Sequence, residues 1–109
     1  MEKADRFNGG KPKYGLLPSW LLAGTAYRLE AGAKKYSAWN WMKGDYVSEL
    51  VSSLERHVID FKYGETVDPD PQMNGTDHID AIICNALFIK NVLINHPDLD
   101  DRFKIENNG

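Results

Sequence analysis

Between Asp45 and Tyr63, the residues Val47, Leu50, Val51, Leu54, Val58 and Phe61 fall within one arc when the chain is wound at about 100° per residue. No stretch of the sequence alternates apolar and polar side chains as a half-buried strand would. The spacing predicts an amphipathic helix over about Asp45 to Tyr63, stopped by Gly64, and a stripe of this kind needs a partner surface. A second run supplies one. Thr76 or Asp77 can cap a helix that continues through Ile79, Ile82, Ile83, Ala86, Leu87, Phe88, Ile89, Val92 and Leu93 and stops before Pro97. It is expected to be the most buried element. Nearer the start, Ser19 follows Pro18, and Trp20, Leu21, Ala23, Ala26, Tyr27 and Leu29 recur every three to four positions, which predicts a helix over about Ser19 to Ala31 with Gly32 as its stop.

The reading is therefore all-α, a small helical bundle forming one domain over residues 1–109. Three helices in so short a chain leave a face half covered, so completion by oligomerisation, as a homo-dimer or homo-tetramer, is expected. Residues 1–14 carry Gly9, Gly10 and Pro12 and read as an extended arm bearing Lys11 and Lys13; residues 98–109 read as a frayed tail. Glu65 to Gly75, with Pro69, Pro71 and Asn74, reads as a loop.

Charge and cysteine usage narrow the function classes. A net charge of −3 offers no basic footprint for a nucleic-acid partner. Cys84 is the only cysteine and lies in an apolar run, where a small buried thiol is usual; this fits a reducing cytoplasm. The longest apolar run, Ala81 to Ile89, is interrupted by Asn85 and too short for a bilayer, and no signal-like start is present, so no membrane partner is expected.

The chemistry rests on carboxylates carried by helices that must pack together. Glu55 lies at one edge of the apolar arc of its helix, and Asp77 and Asp80, three apart, project together from the first turn of the last helix. Carboxylates from two facing helices, completed by waters and substrate phosphates, suit Mg2+ or Mn2+. Taken alone, Asp77 and Asp80 read more simply as first-turn acids that cap free amides and offset the macrodipole. His57 and His78 likewise read first as satisfied buried polar groups rather than metal ligands. Asn85, an amide in an apolar helix, must bond His78, a backbone group or a substrate. Arg56 can clamp a phosphate or reach a neighbouring carboxylate. In the aromatic stretch Ala33 to Gly44, Lys34 and Lys35 can meet phosphate oxygens while Tyr36, Trp39 or Trp41 stacks on a base and Asn40 reads it; equally, the stretch can plug one end of the bundle.

The ordered series Gly32-Ala33-Lys34-Lys35-Tyr36, Asn40-Trp41, Leu54-Glu55-Arg56-His57, Gly64-Glu65 with Asp68-Pro69, His78-Ile79-Asp80 and Asn85-Ala86-Leu87-Phe88, preceded by Lys11-Pro12-Lys13-Tyr14 and Leu16-Leu17-Pro18, resembles the phage-type dATP/dGTP diphosphohydrolases (MazZ-like), relatives of the MazG-type all-alpha nucleotide pyrophosphohydrolases. The resemblance implies metal-dependent hydrolysis of a purine deoxynucleoside triphosphate, dGTP or dATP, to the monophosphate and pyrophosphate, in the host cytoplasm if the chain is phage-encoded. It adds Glu65 to the expected metal ligands Glu55, Asp77 and Asp80, of which Glu55 and Asp80 are the expected catalytic pair. Lys34, Lys35 and Arg56 are the expected phosphate-binding residues, and Asn40, Trp41 and Asn85 the nucleoside-binding ones. The family's Glu-x-x-Glu appears here only as Ser52-x-x-Glu55, and its loop is longer and richer in proline. The rival readings are a non-enzymatic helical interaction module and a His-Asp phosphohydrolase, the latter disfavoured because the chain has no His-Asp step.

Overall fold

A computed structural model describes residues 2–105; the last four positions of the expected tail lie outside them. The frame is three α-helices: α1 (Ala23–Lys35), α2 (Val47–Lys62) and α3 (His78–Asn95). The two later helices sit where the periodicity puts them. Tyr46 is still extended, so α2 starts two residues later than expected, and Gly64, at φ +101°, turns the chain out at its end. At the start of α3 the Asp77 carboxylate accepts the Asp80 amide at 2.9 Å and the Asp80 carboxylate accepts the Asp77 amide at 3.0 Å, a reciprocal capping box.

The first helix departs from expectation. Ser19–Leu22 form only a 3-10 turn, and α1 proper begins at Ala23 and passes through Gly32 to Lys35. One helical glycine costs about 1 kcal/mol relative to alanine, which the good helix formers Ala31, Ala33, Lys34 and Lys35 and the packing of this turn outweigh. Trp20, Leu21 and Tyr27, expected on the buried stripe, are 75, 64 and 52% exposed.

α3 is the central helix, packed most extensively on α2 and then on α1. By length and composition it could cross a membrane; here its buried side chains are His78, Ala81, Cys84, Asn85, Asn91 and Val92, against Val47 of α2 and Thr25 of α1. The α1–α3 crossing is close at Gly24, where an added methyl would run into the Asp80 carboxylate. Beside it the Thr25 hydroxyl donates to the Asp80 carbonyl at 3.5 Å, and the Cys84 thiol to the Thr25 carbonyl at 3.6 Å. Further along, Asn91 donates to the Met42 carbonyl at 3.2 Å, and His96 Nε2 lies 2.7 Å from the same oxygen, which ties the 3-10 turn Asn40–Lys43 to α3. The tail is held farther than expected: the Asp101 carboxylate accepts the Ser48 amide at 2.9 Å and also its hydroxyl, an N-terminal cap for α2 supplied from the other end of the chain.

The chain exposes 8963 Å², whereas a folded monomer of this mass exposes about 6,100 Å². Its radius of gyration is 17.8 Å, against about 13 Å for a compact chain of this length. Much of the excess is apolar and lies early in the sequence, in Phe7, Tyr14, Leu16, Leu17, Trp20 and Leu21.

Candidate functional site

The three helices and the 40–43 turn enclose a cleft of about 370 Å³. α1 gives it Arg28, Leu29, Gly32 and Ala33; α2 gives Leu50, Ser53 and His57; α3 gives Ala81, Cys84, Asn85 and Phe88; the connecting segment gives Asn40 and Trp41. Trp41 is fixed by Phe88, ring centroids 5.4 Å apart, and Trp39 packs beside it at 6.3 Å. Asn85 donates to the Ala81 carbonyl at 3.0 Å and to the Ser53 hydroxyl at 3.3 Å, so its carbonyl oxygen is left as an acceptor on the cleft. The amide thus finds a backbone partner and Ser53 rather than His78.

A polar cluster adjoins the cleft through His57 and Arg28. The loop after α2 folds back on itself: Asp68 N–H donates to the Thr76 carbonyl and His78 N–H to the Thr66 carbonyl, both at 3.0 Å, around an isolated antiparallel bridge of Val67 with Asp77. Asn74, at φ 57°, and Gly75, at φ 74°, close its tip. This hairpin presents Asp68 to α1, where Arg28 donates to its carboxylate at 2.9 Å and to the Thr76 hydroxyl at 3.2 Å, with only 12 and 10% of the Arg28 and Asp68 side chains exposed. Burial disfavours the charge on Asp68, but the Asp70 amide and the Arg28 guanidinium outweigh it and hold the carboxyl below its ordinary range.

Beside the ion pair, His57 Nδ1 and His78 Nδ1 are 2.8 Å apart, and His78 Nε2 is 2.7 Å from a Glu65 oxygen. His78 is 1% exposed. With Glu65 ionised, His78 donates from Nε2, so its Nδ1 is bare and accepts from His57 Nδ1–H. Burial, then the Arg28 charge, lowers the basicity of His57 below the usual imidazole value. Burial also pushes the Cys84 thiol up to about 11, leaving it unfit as a nucleophile at neutral pH.

Two groups of side chains among the described residues have donor atoms close enough to share one cation: His57, Asp68 and His78, and Asp60, Glu65 and His78. Of the expected carboxylate ligands, Glu65 enters the second group. Glu55 is exposed on α2 and enters neither, while Asp77 and Asp80 bond each other's amides across the capping box, the simpler of their two readings. Lys34 and Lys35 are exposed along a separate groove with Tyr27, Glu30, Pro71, Gln72 and Asn74, Lys34 lying 3.7 Å from Glu30 and Lys35 over the Tyr36 ring; Arg56 is exposed on α2 and lines neither cavity. Asn40, Trp41 and Asn85 do meet on one cleft. Arg28 is the residue that sequence reasoning left out altogether, while Asp60 read as part of a solvated face and His57 and His78 as buried polar groups, and none of the three was placed in the site. A lone arginine within a helix carries no signal of its own, and Asp68 stood out only through the family resemblance.

A family profile described as the N-terminal region of dATP/dGTP diphosphohydrolases matches residues 1–102. The chain belongs to that family. No curated protein and no solved structure matches it. In this family member the match spans the arm, all three helices and the hairpin loop, so the cleft and the polar cluster both lie within the family's region.

Proposed function

We propose that the cleft takes a purine deoxynucleoside triphosphate and that the protein hydrolyses it to the monophosphate and pyrophosphate with help from a divalent cation. The observation that carries this reading is one cavity that joins an aromatic wall and two side-chain amides to an arginine and a histidine. Its volume lies in the range of small-molecule sites. Trp41 and Phe88 offer faces for a base, and Asn40 and the free carbonyl of Asn85 offer polar contacts that stacking alone lacks. Arg28, with lysines of the arm or of the neighbouring groove, supplies the positive charge and donors that phosphate oxygens need.

The donor chemistry fits a cation, in a different place from the one expected from helix spacing. Imidazole and carboxylate donors converge beside the cleft, whereas Glu55, Asp77 and Asp80 do not share one point. His57, Asp68 and His78, with Glu65 behind His78, are the residues to hold it; of the expected ions, Mg2+ or Mn2+, this nitrogen-bearing set suits Mn2+ better than Mg2+. When bound, such an ion neutralises phosphate charge and activates water.

The working unit in this reading is a homo-oligomer, dimer or tetramer, in the cytoplasm. The exposed area exceeds that of a monomer of this mass by roughly 2,800 Å² per chain, enough to supply the about 1,000–2,500 Å² that each partner buries in an obligate homodimer.

The test is a product assay with each deoxynucleoside triphosphate and Mg2+ or Mn2+. Pyrophosphate and monophosphate are expected from dGTP or dATP, with loss of product in Arg28→Gln and His57→Ala. Orthophosphate or tripolyphosphate would replace this reading with another phosphohydrolase, and no product from any nucleotide would favour the interaction module. Glu55→Gln and Asp80→Asn belong in the same panel: full activity in both removes them from the catalytic machinery.

A further inference from the structure

We infer that His57 Nδ1, His78 Nδ1 and the Asp68 carboxylate form a binding site for a single divalent transition-metal ion, Co2+ or Zn2+ more tightly than Mn2+, with Glu65 as the outer group that orients His78. The proposal deepens the hydrolase reading and rests on it for the ion's purpose, but its test needs no nucleotide.

Four features of the cluster point this way. Donor atoms of the three residues lie within 4.8 Å of one another. His78 is almost wholly buried, yet its Nδ1 has only the Nδ1 of another imidazole as partner, 2.8 Å away. Two imidazoles meeting nitrogen to nitrogen share one proton between two lone pairs; if His57 moves that proton to its Nε2, both Nδ1 atoms become free donors with no net proton released. Thirdly, the other nitrogen of His78 gives its N–H to Glu65 at 2.7 Å, the carboxylate–histidine arrangement that fixes the tautomer and ring plane of metal-bound imidazoles. Finally, Asp68 uses one oxygen for the Asp70 amide and the other for Arg28, and a carboxylate has about four lone-pair sites, so acceptor capacity remains.

Imidazole donors favour transition metals over Mg2+, which prefers an all-oxygen shell. The charge opposing the site is Arg28, on the Asp68 oxygen, which weakens binding of any cation without changing the order of preference. The competing arrangement uses the other side of His78, with Nε2 facing Asp60 and Glu65. In that case Glu65 is a ligand and Asp60 essential, so the two are separable by substitution.

The experiment uses the full chain after treatment with a chelator. Calorimetric titration with Co2+, Zn2+, Mn2+ and Mg2+ is expected to show one site per chain that binds Co2+ and Zn2+ about 100-fold or more tighter than Mg2+, with visible Co2+ bands of a nitrogen–oxygen shell. In NMR spectra of the wild-type chain, Zn2+ should shift the imidazole signals of His57 and His78 and leave His96 in place, a readout that no folding defect can imitate. Asp68→Asn and His57→Gln should remove stoichiometric binding, Glu65→Gln should weaken it by about 10- to 100-fold, and Asp60→Asn should leave it unchanged. Equal affinity for Mg2+ and Co2+, unmoved His57 and His78 signals, or loss of the site in Asp60→Asn with binding kept in Asp68→Asn would overturn the proposal. A chain that binds the ion as described but releases no pyrophosphate would leave the metal site standing and the hydrolase reading fallen.

Discussion

The hairpin side of the molecule and its N-terminal segment are built on opposite principles. Around α3, nearly every polar group has a named partner: Arg28 on Asp68 and Thr76, His78 on Glu65 and His57, Asn91 on the 40–43 turn, and Asp77 and Asp80 on each other's amides. Among the described residues, no buried side-chain nitrogen or oxygen lacks a hydrogen bond. Residues 2–22 show the reverse, with Tyr14, Leu16, Trp20 and Leu21 bare to solvent and none of their side chains buried. A packed polar interior specifies one geometry and so can present a site; a bare apolar strip costs free energy until something covers it.

The contrast implies a ranking of mutational effects. The largest should come from Arg28→Met: it leaves Asp68 as a nearly buried charge without its partner, and breaking such a pair costs about 3–5 kcal/mol, readable as a lower denaturant midpoint. An unchanged midpoint would mean that water already compensates Asp68. Next is Gly24→Ala, whose methyl meets the Asp80 carboxylate; overpacking of this kind costs about 1–3 kcal/mol, and a neutral result would show that the α1–α3 crossing can slide. Asp77→Ala, which removes one half of the capping box, should cost about 1 kcal/mol. A small chemical effect follows from the buried thiol: with the Cys84 thiol raised to about 11, a disulfide reagent at pH 8 should label it slowly in the native chain and at once in denaturant. Fast native labelling would show that this part of α3 opens. Trp20→Ser should change helicity least of all and yet lower the sedimenting mass, because its side chain touches no core. A chain that already sediments as a monomer would remove the assembly argument.

Helical spacing made the frame legible and the site only partly so. α2 and α3 announce themselves because long amphipathic periodicity and a first-turn acid leave few alternatives. α1 was displaced by a turn for two local reasons. Ser19 follows Pro18 but starts only a 3-10 turn, and Gly32 is tolerated between good helix formers. Asn40, Trp41 and Asn85 stood out by their chemistry, which left a plug or a structural amide open; the family resemblance is what assigned them to a nucleoside, and they meet on one cleft. Arg28 was not, because its role depends on Asp68, forty positions away and carried by a hairpin whose folding back leaves no periodic trace. Asp77 and Asp80 taught the converse, since three-apart acids at a helix start serve a cap as readily as a cation.

The hairpin between α2 and α3 has a stem tied by the two main-chain hydrogen bonds of its bridge, and a tip of 3-10 turn and left-handed residues that neither bond involves. Length is therefore negotiable at Pro71 to Asn74 and fixed below it, where the Asp70 amide holds the Asp68 carboxylate. That tip can be lengthened, shortened or re-spelled without moving Asp68, Glu65 or His78, so the groove it borders can change shape while the clustered side chains stay where they are.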